Sequence, residues 1–311
     1  VFAAARVLPE FVVEAELQPH RRSSSALPGH WSKHPFPSQG WRTVPVPDGD
    51  PVFNALARCL RTDPKELGKG RDVVEAGQYS RLKLKRAWRI ENPRLWRRYA
   101  TERSGVQEEI RDRHIELKDP HIRQELKDAL KELPEPLQAG VNEVRLLHGT
   151  KPETVLTLLS NGPNERFSGG MFGSGTYLAE DAGKNDQYVS CDQGGHSASK
   201  MELRELHSRL YGGTDTHPGR VFYLLLCRTV LGRFVPTKSG HGNAVPTDDS
   251  GKRVFATDDR RELGCMSGLS PPVHYHALLA ELGGHISRFR EFVQFRDVRI
   301  YPEYLLAYRR K

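Results

Sequence analysis

A chain of 311 residues has room for one large domain or two ordinary ones, and either buries a sizeable core. With 37% hydrophobic residues, a mean hydropathy of −0.61 and no apolar run near membrane-span length, a helical membrane protein is excluded. A net charge of +8 favours anionic partners, and four scattered cysteines without a C-x-x-C point to thiols in a reducing compartment, not a disulfide framework.

The opening VFAAARVLPEFVVEAEL is broken by Arg6, Pro9 and Glu10, a poor signal peptide, so an intracellular setting, cytoplasmic or nuclear, is expected. Residues 19–51 are dense in Pro, Ser and Gly and read as linker or irregular wrapping chain. Trp31, Phe36 and Trp41 argue that this stretch docks somewhere. Asp50-Pro51 is expected to cap a short helix, and KELGKGRDVVEAG reads as a polar turn region. Residues 1–78 are thus expected to form an N-terminal segment with one short helix.

From Tyr79 the pattern turns strand-like through Leu82, Leu84 and Ile90. Asn92-Pro93 caps the next helix, and Asp119-Pro120 repeats the device before Ile122, Leu126, Leu130 and Leu133. Seven basic residues (Lys83, Lys85, Arg86, Arg89, Arg94, Arg97, Arg98) suit the solvated faces of a strand and a helix, with a nucleic-acid or polyanion surface as the rival reading.

The apolar run Val144 to Leu147 reads as a core strand delivering His148-Gly149-Thr150, with Thr150 expected to cap a helix ending at Gly162. A glycine-dense loop (Gly169, Gly170, Gly173, Gly175) leads to a short strand, Thr176 to Ala179, and Asp181 opens a helical turn carrying Tyr188. Residues 191–220 read as an insertion, with Ser199-x-x-Glu202 as a capping box ahead of Leu203, Leu206 and Leu210. Cys191 and His196 lack a nearby cysteine pair, so no metal is expected. Further strands are expected at VFYLLLCRTVLGRF, at Val254 to Ala256, at Glu291 to Phe295 and at Ile300 to Tyr308, with Pro302 calling for an edge position. No G-x-G-x-x-G follows a strand and no G-x-x-x-x-G-K-[ST] occurs, which disfavours the usual nucleotide-binding folds.

A histidine at a strand end, two tyrosines and a close-approach glycine loop suit a flat, polar ligand. HGT, LLSNG, GGMFGSGTYLAED and KNDQY, followed by VFYLLLCRTVLGRF and REFVQFRDVRIYPEYLLAYRRK, resemble the catalytic domain of the poly(ADP-ribose) polymerase family. The GGMFG wording is nearest the tankyrases, which carry a small zinc site in the neighbourhood of residues 191–220. WRIENPRLW resembles the lead-in before the family's histidine. The resemblance implies an α+β ADP-ribosyltransferase fold, two mixed, mostly antiparallel sheets flanking an NAD cleft, with residues 79–311 as the catalytic domain.

It implies NAD as co-substrate, no metal, and a protein acceptor, the chain itself among the candidates. His148, Tyr177 and Glu291 match the three signature positions: His148 for a ribose hydroxyl, Tyr177 for the nicotinamide face, Glu291 as catalytic carboxylate. Gly149 would meet the nicotinamide carboxamide, and Tyr188 supplies a second ring. Thr150, Asn164, Arg166 and Lys184 fall near the diphosphate, the adenosine or the acceptor. Asn185 stands where the family usually has a serine, and Pro163 where it has an apolar or aromatic residue. The rival readings are a module that holds NAD or ADP-ribose without turnover, and a basic nucleic-acid-binding protein.

Overall fold

Asp50 accepts a hydrogen bond from the Val52 N–H, and Asn92 accepts one from the Leu95 N–H. Helices α1 (Pro51–Cys59) and α2 (Pro93–Asp112) therefore start where their capping residue and following proline put them. The computed structural model describes residues 26–68, 79–194, 201–212, 216–240 and 246–311. His196, Ser199 and most of the KELGKGRDVVEAG stretch lie outside the described residues.

Two expected helix starts move. Asp119 accepts from the His121 N–H in a turn, so α3 (Gln124–Leu130) begins later, behind Arg123 and with no side-chain cap. Thr150 is still paired with Tyr223 as the last residue of strand β3 (Glu143–Thr150). The residue preceding α4 (Pro152–Asn161) is consequently Lys151, while the Thr150 hydroxyl meets that of Thr154 at 2.6 Å. Gly162 ends α4 at φ +79°, a backbone that suits glycine.

Two sheets carry the molecule. The larger is wholly antiparallel, in the order β1 (Arg42–Pro45), β2 (Leu82–Glu91), β9 (Ile300–Arg310), β5 (Phe222–Val230), β3. The smaller runs β4 (Thr176–Leu178), β8 (Glu291–Gln294), β7 (Ala277–Ala280), β6 (Phe234–Thr237), with only β6 and β7 parallel. Mutual backbone bonds between Leu147 and Ala179 tie β3 to the chain leaving β4. With helices beside the sheets, this is the α+β fold that the sequence implies.

Pro302 is not at an edge, because β9 lies in the centre of the larger sheet. It is accommodated because β2 pairs with β9 only as far as Tyr304, and the β5 ladder shifts register between Leu226 and Cys227. A bulge tolerates the missing N–H as an edge does. Val254 to Ala256 forms no strand; Phe255 makes a single bridge to Leu263. The aromatic residues before α1 dock as expected: Trp31 stacks on Tyr301 at 6.2 Å, and Trp41 is buried in the main core. In α6 (Met201–Tyr211), Leu206 and Leu210 are buried and Leu203 packs against them. No helix among the described residues is long and apolar enough to cross a membrane.

Candidate active site

The cleft is assembled by register. Tyr177 on β4 lies opposite Val293 on β8, and Glu291 is two residues from Val293. Residues opposite one another, and residues two apart, share a face, so Tyr177 and Glu291 project to the same side. Strand β3 brings His148 and Gly149 to that side, and α5 (Ala182–Asp186) adds Lys184 and Asn185. A cavity of about 480 Å³ is lined by His148, Gly149, Tyr177, Lys184, Asn185, Tyr188 and Glu291. A roomier groove of about 600 Å³ along α3 is lined by a mixture of aliphatic and charged side chains with no aromatic among them.

Each side chain is held by identifiable partners. The His148 Nδ1–H donates to the Tyr177 carbonyl at 2.9 Å, which leaves Nε2 as the acceptor of the neutral ring. Burial lowers the His148 pKa, opposed by that carbonyl bond, so the neutral form persists below the usual range. The Tyr177 hydroxyl accepts from the Phe172 N–H at 2.8 Å and donates to the Gly173 carbonyl at 2.9 Å. Its ring presses on the glycine loop: a Cβ at Gly170 would sit 2.8 Å from ring atoms.

Lys184 Nζ lies 2.8 Å from Glu291 Oε1 and 3.1 Å from the Tyr188 hydroxyl. Burial works against the Lys184 charge, but the Glu291 carboxylate outweighs it and raises the pKa, so this is an ion pair. Gly149 has a use beyond ligand approach, since a Cβ there would fall 2.3 Å from the Asn185 carbonyl oxygen. Only glycine lets β3 and α5 come this close. The Asn185 Nδ2 donates to the Asp181 carbonyl at 2.9 Å.

Thr150, Asn164 and Arg166 stand outside the cavity lining. Asn164 caps a short turn by accepting from the Arg166 N–H at 2.9 Å, and both precede Ser168, which does line the cavity. Met171, within the GGMFG stretch, and Ile286, which nothing in the local sequence marks, also line it. Asp186 was likewise illegible. Its buried carboxylate accepts from the Tyr79 hydroxyl, the Tyr308 hydroxyl and Arg310 Nε, fastening α5 to the large sheet.

Asp192, His207 and His217 form a cluster of metal-ligand type among the described residues, their ligand atoms all within 4.8 Å. Hydrogen bonds account for it. The Gly219 N–H donates to His217 Nδ1 at 2.9 Å, so the neutral ring carries its proton on Nε2, aimed at Asp192 Oδ2 3.2 Å away. His207 Nε2 and the Tyr223 hydroxyl donate to the same oxygen at 2.8 and 2.9 Å. A metal on His217 Nε2 would displace that proton while Nδ1 still faces an N–H donor, which demands an imidazolate. Elemental analysis of the purified protein is expected to show no stoichiometric zinc, and one zinc per chain would overturn this account.

The family model described as the poly(ADP-ribose) polymerase catalytic domain matches residues 67–310.

Proposed function

The chain belongs to the poly(ADP-ribose) polymerase family, and from that premise we propose that the cleft transfers ADP-ribose from NAD to a protein side chain, releasing nicotinamide. NAD-dependent ADP-ribosyltransferase activity is what this catalytic domain implies. The observation that supports the proposal for these residues is their convergence: a half-buried neutral imidazole, two tyrosines and an ion-paired carboxylate on one cavity.

The bond that breaks joins the nicotinamide nitrogen to ribose C1′. Nicotinamide leaves neutral with the bonding pair, and positive charge develops on the ribose as in other glycosyl cleavage. In the proposal, Tyr177 and Tyr188 flank the nicotinamide, and the Gly149 backbone and the Asn185 amide meet its carboxamide. His148 Nε2 accepts a ribose hydroxyl proton. Glu291 faces the developing charge and takes the proton from the acceptor as the new C–O bond forms. Lys184, 2.8 Å from Glu291 Oε1, orients that carboxylate until substrate arrives. Thr150, Asn164 and Arg166 are proposed to act further out, towards the adenosine and diphosphate. A carboxylate that activates a weak hydroxyl serves a ribose hydroxyl equally, so elongation to poly(ADP-ribose) lies within this chemistry. Residues 79–311 are proposed as the catalytic domain and residues 1–78 as an N-terminal segment whose β1 and α1 pack onto it.

A second reading, NAD or ADP-ribose binding without turnover, draws on one observation: the Asn185 amide is already engaged with Asp181. Incubation with NAD labelled in the ADP-ribose moiety separates the two. Label found covalently on protein, with nicotinamide released, supports transfer; label retained only until denaturation supports binding alone.

His148→Ala is expected to weaken NAD binding by about 1–3 kcal/mol, roughly five- to a hundredfold, by removing the acceptor that faces the cavity. Because burial lowers the His148 pKa, wild-type affinity should stay level through the pH range where an ordinary histidine protonates and fall only below it, as Nε2 gains a proton. Calorimetry on both proteins across that range checks this. Unchanged affinity in the variant would remove His148 from the site.

A further inference from the structure

The basic residues between Lys83 and Arg98 part company in the fold. Arg89 pairs with Glu91 at 2.7 Å, Arg94 donates to the Ser160 carbonyl at 2.7 Å, and Arg98 pairs with Asp297 at 3.1 Å. Lys83, Lys85 and Arg86 have no carboxylate partner among the described residues; Arg86 donates only to the Lys85 carbonyl. They are joined instead by cations from the end of the chain. The β2–β9 register sets Lys83 opposite Arg309, and mutual backbone bonds between Arg81 and Lys311 continue the ladder.

Opposed residues share a face, as do residues two apart, so Arg81, Lys311, Lys83 and Arg309 form a grid about 5 Å by about 7 Å. The bulge between Leu84 and Arg86 adds Lys85 and Arg86 at its margin. Burial lowers the Lys85 pKa, and the charges that most add to the effect are those of Arg309, Lys83, Lys311 and Arg86, all cations. Like charges set opposite each other destabilise an antiparallel pair. A bound polyanion removes that penalty and stabilises the folded state.

We propose that this grid docks the phosphate backbone of duplex nucleic acid, without sequence readout. Tyr308 and Arg310 reach Asp186 on α5, so the alternating residues Arg309 and Lys311 lie on the sheet face away from α5. One observation chooses the partner. The exposed large apolar residues (Leu137, Met171, Tyr188, Met201, Leu282) include none on the grid. It therefore offers no stacking platform for unpaired bases, while duplex phosphates need only cations.

The test is fluorescence anisotropy with a labelled duplex at several salt concentrations. The full chain is compared with a Lys83→Gln, Lys85→Gln variant and a charge-matched Lys127→Gln, Lys131→Gln control at two exposed lysines on and just after α3. The grid variant should bind at least about tenfold more weakly, with the log K against log salt slope shallower by about 2, near 0.9 per phosphate contact. The control should match wild type, and all three should melt alike. Equal binding by grid variant and control would overturn the site. Tighter, grid-dependent binding of single strands or of poly(ADP-ribose) would overturn the choice of duplex.

Discussion

Glu291→Gln is expected to keep NAD binding while losing at least about a hundredfold in ADP-ribose transfer, the usual worth of general-base assistance. Glutamine is nearly isosteric and still hydrogen-bonds a hydroxyl, so the fold and the ground-state contacts should survive. It neither takes a proton at neutral pH nor offsets positive charge on the ribose. The Lys184 ammonium, 2.8 Å from the carboxylate in the native chain, would lose the anion that raises its pKa. An unmatched cation would then face the developing oxocarbenium ion and deepen the loss. Elongation should suffer more than NAD hydrolysis, because a ribose hydroxyl needs activation whereas water is abundant. The measurement is NAD affinity, nicotinamide release and product length in parallel. Wild-type transfer in the variant would remove Glu291 from the chemistry. Loss of binding together with transfer would make its role structural.

How much of this was legible depends on the range of the interaction. The caps at Asp50, Asn92 and Asp181 and the stop at Gly162 involve neighbours a few positions away, and the fold places them as read. Asp119 looks locally identical to Asp50, yet its acceptor serves a turn, and α3 starts where Leu126 and Leu130 meet the core. Pro302 was misread because tolerance of a missing N–H is set by its partner strands, which lie far away in sequence. In the site, motif order brought His148, Tyr177 and Glu291 together by resemblance. The Lys184–Glu291 pair, the Asp186 anchor and the close approach of Gly149 to Asn185 are products of strand register and helix docking. No local pattern encodes those contacts.

Arg228→Met should be the most damaging single change to stability, because Arg228 sits between two buried carboxylates in the middle of the large sheet. Its Nε donates to Glu143 at 2.8 Å and its Nη1 lies 3.3 Å from Glu303, with the side chain 1% exposed. Arg145 holds Glu303 from the other side at 2.7 Å, and Arg103 and the Tyr99 hydroxyl hold Glu143 at 3.1 and 2.7 Å. Methionine fills much of the volume but leaves both carboxylates short of a cation. Breaking a buried pair in this way costs about 3–5 kcal/mol, a large part of an ordinary domain's stability. The melting temperature should fall by about 5–10 °C.

The pH dependence separates charge from packing. Burial alone would raise the Glu143 pKa, but Arg228 and its neighbours hold it down at about 2. A carboxylate depressed in the folded state contributes stability above its unfolded pKa, near 4.3, and loses it as pH falls towards the folded value. Without Arg228 the Glu143 pKa rises, so the variant has less of this stability to lose. The gap between wild type and variant in chemical denaturation should be widest near neutral pH and close as pH drops from about 5 towards 2. A gap that stayed constant across that range would mean the cost is one of shape, and that the Arg228 charge adds nothing to the sheet's stability.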